Sequence, residues 1–173
     1  MATFDVRWKD DIVPMLISIG DSDEEIDMQS IRIQVGEREG PAAALVLLEL
    51  VNRSVIGKHR RANFSHLYSH FPTQFTVAEA MESLKKNKTA FPSLFHIGSQ
   101  STVFVFLGDL SIPTESFSNS LSFVMSLLTL TKLRSPRNLS RFYNFVKVLV
   151  SIKGAEVQDS MHSLYSHLSA SDS

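Results

Sequence analysis

The sequence predicts an α+β fold, an antiparallel sheet with helices packed on one face, from three observations. Short segments near the start alternate apolar and polar residues, the period of a half-buried strand. Longer segments from Gly40 onward repeat apolar residues every three or four positions, as amphipathic helices do. Between these, Thr102 to Leu107 is apolar on both faces, the pattern of a central strand.

The chain has 173 residues, 43% of them apolar and 20% charged. That is enough to bury one core, and the composition is that of a globular domain. We expect a single domain over residues 1–153 and a Ser-rich tail over 154–173 that frays. The chain has no cysteine, which excludes a disulfide scaffold, thiol catalysis and thiolate metal sites, and leans towards a reducing compartment. No stretch approaches the ~20 apolar residues of a spanning helix, so a soluble or membrane-peripheral protein is expected.

Taken in order, Phe4, Val6 and Trp8 alternate with charged residues and predict a first strand. Met15, Ile17 and Ile19, then Ile31, Ile33 and Val35, predict two more, joined as a meander across an acidic loop from Gly20 to Asp27. Pro41 suits a first helical position and Gly57 a stop just beyond a helix end. The apolar run from Ala42 to Leu50 therefore predicts a helix; a buried strand is the alternative, because short apolar runs do not discriminate by period. Phe64, Leu67, Tyr68 and Phe71 then predict a second helix beyond a basic corner. Thr76 and Glu79 have capping-box spacing ahead of a face formed by Val77, Met81 and Leu84. Two further helices are expected, from Phe117 through Leu133 and from Pro136 to Val150.

The net charge of −1 conceals a division: residues 1–50 sum to −7, residues 51–153 to +9 and the last twenty to −3. Segregated charge suits head-to-tail self-association or a basic face for a polyanion; the alternative is neutralisation across one folded surface. The candidate polyanion contacts are Lys58, Arg60 and Arg61 at the corner and Lys85, Lys86 and Lys88 after the capped helix. Those last three also suit a helix C-terminus, where the dipole favours cations. Asp21, Asp23, Glu24 and Glu25 are the candidate acidic counterpart for self-association.

Gly98 to Thr102 lacks the spacing and lysine of a phosphate loop, and there is no nucleophile elbow. His66 and His70 stand four apart but suggest no third ligand, so surface histidines are expected rather than a metal site. We expect no enzyme, no cofactor and no metal.

The succession Ser30-Ile-Arg-Ile-Gln-Val35, Ala42-Ala-Ala-Leu-Val and Ile56-Gly57-Lys58-His-Arg-Arg, followed by an aromatic-bearing second helix, resembles the amino-terminal part of rhabdovirus matrix proteins. The size resembles that of a plant-infecting, cytorhabdovirus-like member. The likeness covers residues ~30–71 by residue type, and the rest by the order strand, helix, helix and a terminal strand from Ser151 onward. It implies a viral matrix protein that self-associates, condenses the ribonucleocapsid through its nucleoprotein, and links it to anionic membrane during assembly and budding. Its implied locations are the virion, beneath the envelope, and the host cytoplasm, peripheral to membrane. Lys58, Arg60 and Arg61 match the family's basic turn. The lysine-rich N-terminus usual in the family and its Pro-Pro-x-Tyr motif are both missing from this sequence. A soluble RNA-binding viral accessory protein of silencing-suppressor type, or a host scaffold module, would present the same basic face.

Overall fold

In a computed structural model, residues 4–53, 62–86, 92–131 and 137–151 are described. The described chain begins with helix at Phe4, not strand. α1 (Phe4–Arg7) runs through a π-helical turn (Trp8–Ile12) into α2 (Val13–Ser22), with Pro14 in the first turn of α2. α3 (Met28–Gln34) follows, with the Asp27 side chain accepting from the Ser30 amide at 3.1 Å.

The expected three-strand meander is thus replaced by helices, for a reason visible in burial. Trp8, Ile12, Leu16 and Gly20 are buried at a spacing of four. The π turn, closed by the Val13 amide onto the Trp8 carbonyl, keeps that spacing on one face. In α3, Met28, Ile31 and Val35 are buried at i, i+3, i+7, while Ile33, which a strand would have buried, is 67% exposed. Glu37 and Gly36 donate backward to the carbonyls of Arg32 and Ile33 with positive φ at both, a Schellman ending for α3.

α4 (Glu39–Arg53) is the expected helix. Every residue from Pro41 to Val51 is buried except Glu49. A helix apolar nearly all round has to be surrounded; α2, α3, α6 and α7 pack against it.

The expected second helix of the pair is instead a short 3₁₀ turn (Phe64–His66) leading into strand β1 (Tyr68–Phe71). Aromatic spacing fits a helix here, but Tyr-Ser-His-Phe also suits a pleated surface, and β1 pairs in parallel with β2 (Ser93–Ile97). A parallel pair needs a crossover. α5 (Val77–Lys86) supplies it, capped as its sequence predicts: the Glu79 amide donates to Thr76 Oγ1 at 3.1 Å, and the Thr76 amide to Glu79 Oε1 at 3.4 Å. Replacing Thr76 by alanine is expected to cost about 1 kcal/mol, measured by urea unfolding, with Thr76→Ser nearly neutral.

β3 (Val103–Leu107) is the expected strand, and β4 (Leu110–Thr114) returns from it across Gly108-Asp109, with Gly108 at φ +62°. The sheet order is β1-β2-β3-β4, antiparallel from β2 onward. Pro113 is accommodated because β4 is an edge. Alternate residues of the central strands separate two cores. Leu94, Val103 and Val105 face the large core with α4, α6 (Phe117–Thr131) and α7 (Arg137–Ser151). Phe95, Phe106 and partly buried Phe104 meet Ala80 and Leu84 of α5 on the other face. The result is an α+β domain with a mostly antiparallel sheet, one face carrying most of the helices and the other covered by α5. The tail from residue 154 and the terminal strand implied from Ser151 onward fall outside the described residues, apart from Ser151, which ends α7.

Candidate functional site

The candidate basic corner, Lys58, Arg60 and Arg61, and likewise Lys88, lie outside the described residues. The residues bounding that corner are placed. Asn52, in the last turn of α4, donates through Nδ2 to the Ala62 carbonyl and accepts from the Ala62 amide at Oδ1, both at 2.9 Å. The chain therefore leaves and re-enters the described structure at one point. At that point Arg53 Nη1 meets Asp23 Oδ2 at 2.9 Å and Glu25 Oε2 at 3.6 Å. The Asp23 side chain is only 13% exposed, so its bond with Arg53 is the shielded member of the pair.

The acidic loop is therefore a neighbour in space of the base of the basic segment. Asp21 also pairs within the chain, with Arg32 at 3.3 Å. Glu24 is exposed and makes no ion pair among the described residues, and the Glu25 side chain is 79% exposed. Charges that look segregated along the sequence are partly neutralised where α2 and α4 end.

Lys85 and Lys86 occupy the last turn of α5, exposed. Lys85 Nζ bonds Asp109 Oδ1 of the β3–β4 turn at 2.8 Å; this bond raises the lysine and lowers the carboxylate from their ordinary values. α5, which carries these lysines, packs on the sheet face opposite α4.

Two features had no local signal in the sequence. The first is a polar cluster under the α3–α4 turn. His96 of β2 is 0% exposed, its Nδ1 hydrogen-bonded to the Tyr68 hydroxyl. The His70 ring stacks on it with centroids 4.5 Å apart, and His70 Nε2 lies 3.2 Å from the Gly98 carbonyl. Burial, with a smaller contribution from the nearby Arg38 charge, lowers His96 to about 4, so this imidazole is neutral at pH 7. A Cβ on Gly36 would lie 2.7 Å from the His70 ring, so the turn at Gly36 is fitted to this cluster. His66 and His70 belong to a 3₁₀ turn and a strand, not one helix face.

The second is a cavity of about 480 Å³ between the first helices and the sheet. Its floor includes Trp8, Val103 and Phe117, each at most 7% exposed, and its rim carries Arg38, Glu39 and Glu115. The first turns of α4 and α6 meet at its edge, where a Cβ on Gly40 would lie 3.3 Å from the Phe117 ring.

A scan of family models gives no match to this chain, and comparison with curated proteins and with solved structures gives none either.

Proposed function

We propose that the protein is a matrix-type assembly protein of a virus: it self-associates, engages the nucleocapsid, and attaches peripherally to anionic membrane through Lys58, Arg60 and Arg61. The observation that carries this reading is the anchoring of the basic segment. Its two ends are tied together by the reciprocal Asn52–Ala62 bonds, on the end of a helix buried almost throughout from Pro41 to Val51. A cationic segment rooted on a rigid core is suited to surface attachment. The resemblance of residues 30–71 to rhabdovirus matrix proteins points the same way in residue type, while the second helix it implied is a 3₁₀ turn followed by β1.

Self-association draws on only part of the acidic group singled out by sequence. Asp21 and Asp23 hold partners within the chain, which leaves Glu24, and beside it Glu25, whose contact with Arg53 is long and whose side chain is 79% exposed, for a neighbouring molecule. Ile33, Leu110 and Leu130 add apolar contact points, 67%, 61% and 82% exposed, on three separate elements. A particle-forming protein uses more than one interface.

Each Lys or Arg near an anionic surface contributes ~1 kcal/mol, so three bind a monomer weakly and assembly supplies avidity. Replacing Lys58, Arg60 and Arg61 together by alanine is expected to weaken binding to anionic vesicles by about 100-fold. The melting temperature should stay near that of the parent. Unchanged vesicle binding would move the contact elsewhere.

A further inference from the structure

We propose that the cavity between the first helices and the sheet binds a small amphipathic monoanion, a carboxylate on a short apolar chain, with Arg38 receiving the carboxylate. This is independent of the assembly reading, because no residue of the cavity belongs to the basic segment.

Arg38 sets the charge of the ligand. It is partly buried, immediately precedes α4, and pairs with no carboxylate among the described residues. Its Nη2 donates to the Gln100 carbonyl, which leaves most of the guanidinium donors unused among the described residues. Burial lowers it from the ordinary arginine value, the mark of a cation short of compensation. The cavity's other cation, Lys9, is already paired with Asp5 at 3.4 Å.

The rest of the lining sets its shape. Glu39 and Glu115 on the rim repel anions in proportion to their charge, which disfavours phosphates and nucleotides relative to a single carboxylate held by Arg38. Trp8, Val103 and Phe117 supply an apolar floor for a chain. Trp8 is 1% exposed and its indole Nε1–H has no hydrogen-bond partner among the described residues, a buried donor that costs free energy while unpaired. The volume falls within the range of small-ligand pockets, about 300–1,000 Å³. The π-helical turn adds support: it brings Trp8 and Lys9 to the cavity, and such turns recur at functional sites.

Trp8 is the chain's sole tryptophan, so its emission reports the cavity directly. Octanoate titrated into the full chain is expected to change that emission saturably, while octanol and inorganic phosphate at equal concentrations do not. Arg38→Ala should weaken octanoate binding by about tenfold or more, from loss of a hydrogen-bonded charge partner. Ser101→Phe, at an exposed lining position, should block binding with Arg38 intact, which keeps the test decisive if Arg38→Ala fails to fold. The proposal is overturned if octanoate gives no saturable change, if octanol or phosphate matches it, or if the folded variants bind as the parent does.

Discussion

Replacing Leu47 by alanine is expected to lower the unfolding free energy by about 3–5 kcal/mol. Leu47 is 0% exposed at the middle of α4, and its neighbours on that helix are buried too. A helix enclosed by α2, α3, α6 and α7 has little room to close over the void, so the cavity term adds to the lost transfer energy. Urea unfolding of the full chain reads this as a lower midpoint with the slope unchanged. Glu49→Gln, at the exposed position of the same stretch, should stay within about 0.5 kcal/mol of the parent. A Leu47→Ala cost below 1 kcal/mol would mean that α4 is not the centre of the core.

Acidification is expected to remove a further large share of stability, through His96. In the fold it is lowered to about 4, against 6.5 when free, by burial first and Arg38 second, with the Gly98 backbone acting weakly the other way. Tyr68 and His70 are the remaining titratable groups against it among the described residues. Above 6.5 both states carry neutral imidazole and the contribution is complete. As pH falls from 6.5 towards 4 the unfolded chain takes up the proton first, and stability drops by up to about 3 kcal/mol at ~1.4 kcal/mol per pH unit. His96→Gln should flatten this part of the pH profile. A parent profile that is flat from 6.5 to 4, or one that His96→Gln leaves unchanged, would contradict the buried neutral assignment.

The parts of the fold legible in the sequence are those where local chemistry and tertiary context agree. Pro41, the Ala-Leu run and its length marked α4; Thr76 and Glu79 marked the start of α5; two apolar faces marked β3. The first 35 residues were misleading because Phe4, Val6 and Trp8 satisfy a period of two while Trp8, Ile12, Leu16 and Gly20 satisfy a period of four. Only the surrounding core decides between them. Ser93 and His96 hid β2 by interrupting an apolar run at positions that are fully buried, and Pro113 hid β4. β1 was hidden because its aromatics also kept helical spacing.

The candidate site was less legible still. The acidic and basic blocks were clear in the sequence, but not that Asp23 and Glu25 would meet Arg53 beside the base of the basic segment. The cavity gathers Trp8, Arg38, Val103 and Phe117 from four separate stretches, and no spacing rule connects them. His96 looked like one histidine among six, and its role is set by the Tyr68 and His70 rings that a parallel strand brings alongside.

The central proposal, attachment to an anionic surface reinforced by self-association, is tested most directly by vesicle co-sedimentation over a range of protein concentration and salt. The expected result is binding that requires anionic lipid, falls as salt rises, and steepens with protein concentration as avidity builds. Tight binding of RNA by the monomer, with no sedimentation on anionic vesicles at any concentration, would contradict it.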